Sequence, residues 1–129
     1  MINNFRDLRV WQAGMDLVEQ VYCLTRSFPP HEMYGLTNQV RRAAVSIPSN
    51  IAEGHTREHI KEYLHHVSMV QASLAEVQTQ LEIAKRLGYV TIEECDAVMI
   101  PTISLSKQLY ALRNALSKRQ NACSPTRNT

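Results

Sequence analysis

Hydrophobic positions recur at helical spacing in four segments of the chain, separated by short runs of proline, glycine and polar residues. In the first, from about Arg6 to Phe28, Leu8, Trp11, Met15, Val18 and Tyr22 follow at steps of three and four and so share one face. A second row, Leu17, Val21, Leu24 and Phe28, lies beside it, which makes the apolar face wider than one neighbouring helix needs. Pro29-Pro30 ends the segment, since proline cannot donate to the helical ladder and disfavours helical angles in the residue before it.

The second segment runs from about Leu36 to Glu53, with Leu36, Val40, Ala43, Ala44, Ile47 and Ile51 as its inner face. Its alanines let a neighbouring helix approach closely. Pro48 should kink it and free the carbonyl of Ala44, with Ser49 and Asn50 close enough to supply repairing donors. Gln39, Arg42, Ser46, Asn50 and Glu53 form a polar stripe flanking the core, and Gly54 is a natural stop. The segment from Pro48 through Asn50 and Glu53 to Gly54 is the most unusual in the chain. It reads either as a polar site at a helix junction or as a kink carrying its own repair.

In the third segment Ile60, Tyr63, Val67, Val70, Leu74, Val77, Leu81 and Ala84 keep a strict three-four alternation, the seam of a bundle or coiled coil. Thr56 is the expected N-cap and Gly88 the expected residue after the C-cap. The fourth opens on the capping box Thr91-Ile92-Glu93-Glu94, and Val98, Thr102, Leu105, Leu109, Leu112 and Leu116 make its core stripe. Pro101 should kink it. Met99, Ile100 and Ile103 lie beside that stripe, more apolar surface than one bundle core buries, which points to self-association. Short connections between long helices predict an all-α, antiparallel up-down-up-down four-helix bundle over residues 1–116, with a flexible basic tail over 117–129.

Composition agrees and narrows the function. At 129 residues, 44% hydrophobic and 20% charged, the chain suits one globular domain with one core. Cys23, Cys95 and Cys123 are odd in number and far apart, which argues against a disulfide framework or a thiolate zinc site. The N-terminus lacks the basic-then-apolar pattern of a signal peptide, and no apolar run approaches the ~20 residues of a membrane span, so a cytoplasmic location is expected. A net charge of +2 supports nucleic-acid binding only weakly.

Enzymatic chemistry finds little to build on. With four glycines the chain holds no G-x-S-x-G elbow, Walker loop or G-x-G-x-x-G. His55, His59, Glu62 and His66 step by four, three and four, a stripe one residue before the core seam that should face solvent or a partner chain. Glu62-x-x-His65 matches half of a ferritin-like di-iron motif, but that site needs two such pairs and two more inward glutamates, so no metal is expected. Among basic residues, the Arg41-Arg42 doublet and the i,i+4 pair Arg57 and Lys61 could track a phosphate backbone, or could be ordinary solvated positions. No aromatic residue interleaves them to stack on bases.

Several stretches carry a resemblance. Phe5-Arg6-Asp7-Leu8-Arg9-Val10-Trp11-Gln12, Phe28-Pro29 with Glu32 and Tyr34-Gly35-Leu36, and Ser73-Leu74-Ala75-Glu76-Val77-Gln78-Thr79-Gln80-Leu81 are three of them. The most specific runs from Gln39-Val40-Arg41-Arg42 through Ser46-Ile47-Pro48-Ser49-Asn50 to Glu53-Gly54 and Arg57. Together they resemble the bacterial four-helix-bundle proteins encoded in intervening sequences of 23S ribosomal RNA genes, to which the accessory variability protein of diversity-generating retroelements is related. The resemblance spans Phe5 to about Leu116 and departs at Gln71-Ala72, where a glycine is common, and in the histidine-rich start of the third helix. It implies a homopentameric barrel of bundles and a role beside structured RNA or a reverse transcriptase. It implies no catalysis and no cofactor. The leading reading is therefore a non-enzymatic oligomeric bundle that, as the resemblance implies, is an accessory to RNA or a ribonucleoprotein, against a pure scaffold without a nucleic-acid partner or a metal-binding bundle enzyme.

Overall fold

The computed structural model describes residues 4–122. It contains four long helices, α1 (Arg9–Thr25), α2 (Leu36–His55), α3 (Ile60–Arg86) and α4 (Ile92–Ala122), and no strand among the described residues. Each helix packs on the next, and α1 closes the ring against α4. Partner numbers run in opposite directions along successive pairs. Arg41 meets Thr25 while Ile47 and Pro48 meet Gly14; Ser46 meets Ser73 while Asn50 meets His66; Cys95 meets Leu81 while Arg113 meets Gln71. Three consecutive pairs are thus antiparallel, as the short connections dictate. No helix among the described residues is long and apolar enough to cross a membrane.

The core follows the stripes in the sequence. All six inner positions of α2, from Leu36 to Ile51, are buried, as is the α3 seam from Val67 to Ala84. Val77, Leu81 and Leu109 are wholly enclosed, each worth about 1.5–3 kcal/mol in apolar burial. The two rows of α1 separate. Leu17, Val21, Leu24 and Phe28 enter the core with Val10, whereas Met15 and Tyr22 stay exposed at the edge.

Helix ends account for most differences from the sequence reading. The first segment begins as a single 3-10 turn, Phe5–Asp7, in which the Asn4 side chain accepts from the Arg6 N–H at 2.9 Å. Leu8 is then extended, so α1 starts at Arg9. It ends at Thr25 rather than Phe28, because the N–H groups of Arg26, Ser27 and Phe28 turn back to carbonyls three residues earlier as the chain tightens towards Pro29. Gly54 does not stop α2, which continues one residue beyond it to His55. Thr56 caps that helix at its C-terminal end, donating its hydroxyl to the Glu53 carbonyl, and is not the N-cap of α3; His59 takes that position with no capping side chain.

Other signals are met in detail. Thr91 and Glu94 bond each other's backbone N–H at 2.8 and 3.0 Å, the reciprocal capping box. Gly88, at φ +75°, donates to Lys85 O while Tyr89 donates to Ala84 O, the bond pair of a Schellman motif closing α3. Pro48 sits inside a continuous α2, where Ser49 Oγ donates to Val45 O and Asn50 Nδ2 to Ser46 O, the carbonyls one and two after Ala44. α4 also runs through its proline, Pro101, and continues past Leu116 to Ala122, so residues 117–122 of the expected tail are helical. Cys123 and the rest of the tail lie outside the described residues.

Candidate functional site

The polar stripe of α2 lies along its packing seam with α3. Ser46 Oγ and Ser73 Oγ bond at 2.6 Å, and Ser46 also donates to the Ala43 carbonyl. Around them Asn38, Gln39, Arg42, Ala43, Ser46, Ser73, Glu76 and Gln80 line an open groove of about 400 Å3. Gln80 Oε1 is sealed from solvent and accepts no hydrogen bond.

One turn further along α2 the seam holds a linked set of polar contacts. Asn50 Nδ2 donates to Ser46 O at 2.9 Å, which fixes the amide with its oxygen outward. That oxygen lies 3.1 Å from His66 Nδ1, and the Glu53 carboxylate lies 3.7 Å from the same nitrogen. An amide oxygen only accepts, so Nδ1 carries the proton. His66 is 9% exposed, so the imidazole sits inside the seam rather than on the solvated stripe that its spacing with His55, His59 and Glu62 predicts. It fits there because Gly54 has no side chain: a Cβ on Gly54 would come 3.1 Å from Tyr63 Cδ1 and nearer still to His66.

The same arrangement dismantles the metal stripe. His55 belongs to the last turn of α2, where its Nδ1 pairs with Tyr63 OH at 3.2 Å. His59 starts α3, and His66 points back to α2. Among the described residues no three histidine, cysteine, aspartate or glutamate side chains converge on a metal position. Burial raises the Tyr63 phenol pKa, and the positive charge of Arg119, near the end of α4, pulls it partly back.

The four basic candidates do not form one cluster. Arg57 and Lys61 share a groove of about 430 Å3 with Glu62, His65 and His66, at the turn between α2 and α3. Arg42 lines the other groove, whose helix places it roughly 20 Å away by rise per residue. Arg41 turns to α1 instead, donating from Nε to Thr25 Oγ1 at 2.8 Å and lying over the Tyr22 ring at 4.6 Å. Its sequence neighbour gave no sign of this, because the doublet places the two side chains about 100° apart on the helix. Sequence reasoning also missed Glu32, which joins the bundle's other end. Its carboxylate accepts from the Leu36 N–H at 2.9 Å and from Tyr89 OH at 2.7 Å, bonds that hold its pKa below the ordinary carboxylate range and raise that of Tyr89.

Two apolar strips complete the surface. Between α1 and α2 a groove of about 330 Å3 is lined by Trp11, Met15, Val18, Val45, Pro48, Ser49 and Ala52. On the α3 side of α4, Ile92, Met99, Ile103 and Tyr110 recur at helical spacing, with Met99 closing a groove whose other wall includes Ile83 of α3. Ile100 and Tyr110 are 66% and 63% exposed.

Comparison with known proteins places this architecture. A crystal structure of a protein of unknown function from the S23 ribosomal protein family of Bacteroides thetaiotaomicron is similar, with a TM-score of 0.75 and 17% identity. The match covers 81% of this chain and 97% of that one, and at this identity it speaks for the fold alone. No curated protein matches the chain. Neither the family's description nor the neighbour's names an enzymatic activity. The sequence model of one family, the 23S rRNA-intervening sequence proteins, matches residues 6–111, and the chain belongs to that family.

Proposed function

We propose that this protein is a non-enzymatic bundle that assembles with copies of itself and serves as an accessory to structured RNA or a ribonucleoprotein. The observation that carries the assembly is the pair of apolar strips. The ring order of the helices sets the α1–α2 edge and the α3–α4 edge on opposite sides of the bundle, so the strips are two different surfaces. A self-association that joins one to the other is head-to-tail, and such contacts either close into a ring or continue as a filament. The pentamer implied by the resemblance is one such closure. RNA is favoured by the shared groove of Arg57 and Lys61, which a ring repeats in every subunit, so that a small charge per chain gains avidity. The family's name points the same way, as does the partnership with structured RNA or a reverse transcriptase expected from the resemblance.

A scaffold without nucleic acid is the second reading, favoured by Arg41, whose guanidinium is already occupied by Thr25 and Tyr22. A salt-dependent titration with structured RNA decides between them. Counterion release makes true phosphate binding weaken steeply as salt rises. Arg57→Glu with Lys61→Glu should abolish it without loss of helicity. Reversing Arg41 and Arg42 together is a poorer test, because Arg41 also ties α2 to α1. If wild type shows no salt-dependent binding even at low ionic strength, the scaffold reading stands.

A further inference from the structure

The groove at the α2–α3 turn contains a histidine with one ring nitrogen committed and the other free. The commitment runs through three links: Ser46 O takes the Asn50 amide N–H, Asn50 Oδ1 takes the His66 Nδ1–H, and Glu53 stands 3.7 Å behind the same nitrogen. Nε2 therefore carries the lone pair in the neutral ring. It has no partner among the described residues, and it is not among their sealed orphan atoms, which are Gln80 Oε1 and Gln108 Oε1. It is thus within reach of solvent, and His66 lines a groove with Arg57, Lys61, Glu62 and His65.

We infer that this groove binds a phosphoryl group and that His66 makes the binding pH-dependent. Arg57 and Lys61 supply fixed positive charge. Protonation converts Nε2 from an acceptor facing the anion into a donor to it, and the Glu53 carboxylate behind Nδ1 compensates the new charge. The charged and titratable groups around His66 are Glu53 of α2, then Arg57 on the turn, then Lys61, Glu62 and His65 of α3. His65 has its ring centroid 6.0 Å from that of His66, and exposed Glu62 is the one acid lining the groove. His55 is engaged with Tyr63, and from α4 the charges on this side are Arg119, which acts on Tyr63, and Arg113, which donates to Ser68 and Gln71 of α3. The inference rests on the nucleic-acid reading only for the source of the phosphoryl group. The source is either an RNA backbone or free phosphate.

Binding is measured with a labelled RNA hairpin at constant ionic strength, at about pH 7.5 and about pH 5.5, which bracket histidine titration. In parallel, inorganic phosphate is titrated while the imidazole 15N resonances are followed by NMR. Wild type should bind RNA about tenfold more tightly at the lower pH, the size of one charge-assisted hydrogen bond. His66→Gln should lose that gain, and His31→Gln, at the opposite end of the bundle, should keep it. Phosphate should shift His66 Nε2, a readout on unaltered protein should the His66 variant fold poorly. RNA binding equal at both pH values, or a full gain in His66→Gln, overturns the inference and leaves the RNA reading intact. A shift of His66 Nε2 by phosphate with no RNA binding upholds the phosphoryl site and removes the RNA reading. No RNA binding and no phosphate shift removes both.

Discussion

A Cβ built on Gly54 would lie 2.8 Å from the Cβ of His66. The atom it meets is the root of a side chain on a packed helix, so neither residue can swing aside. The family-like segment ending in Asn50, Glu53 and Gly54 thus has a packing reason: the glycine lets α3 approach α2 closely enough for His66 to reach Asn50.

Gly54→Ala should therefore destabilise the bundle. Alanine gains about 1 kcal/mol over glycine in a helix interior. Overpacking costs about 1–3 kcal/mol, and a contact of 2.8 Å puts this site at the upper end, so a net loss is expected. Urea denaturation checks it. His66→Ala should not rescue the variant, since alanine keeps the Cβ that clashes, and a rescue would show that the imidazole ring is the obstacle.

Stability should also depend on pH through Glu32 and Tyr89. Hydrogen bonds from Leu36 N–H and Tyr89 OH, with the charge of His31, hold the Glu32 pKa below its ordinary range. A depressed pKa stabilises the fold above the unfolded carboxylate value, and that contribution is lost as pH falls through the folded value. The Tyr89 pKa is raised, chiefly by its bond to Glu32, so its contribution is present below the ordinary phenol value and is lost as pH rises through the folded one. Melting temperature should fall at both extremes, and Glu32→Gln should flatten the acid limb. An acid limb unchanged in Glu32→Gln would place its origin elsewhere.

Self-association should respond to the α4 strip. Ile103→Glu with Tyr110→Glu alters two exposed positions of that strip outside the core, so helicity should persist while the mass seen by light scattering falls to that of one chain. A wild-type monomer at micromolar concentration removes the assembly proposal.

Metal should be dispensable. Because His55 and His66 are each turned to a protein partner, untagged protein should carry no stoichiometric metal, and a chelator should leave its melting temperature unchanged. One iron, manganese or zinc per chain would contradict this.

The helices and their inner faces were legible in the sequence because periodicity acts within a segment. The Val67–Ala84 seam, the Thr91–Glu94 cap and the Gly88 turn each depend on residues a few positions apart, and all three hold. Which of the two α1 rows is buried was not legible, since both are apolar and only the positions of α2 and α4 choose between them. The histidine stripe failed for the same reason. Its spacing assumed one continuous helix from His55 to His66, whereas the chain turns between His55 and Ile60. Gly54 reads locally as a stop because glycine weakens a helix, yet it stays helical because α3 presses against it. Local spacing set the elements. Close approach between α2 and α3 decided that Arg57, Lys61 and His66 share a groove while Arg41 does not, because contacts across 16 positions, such as Asn50 with His66, exist only once the helices pack.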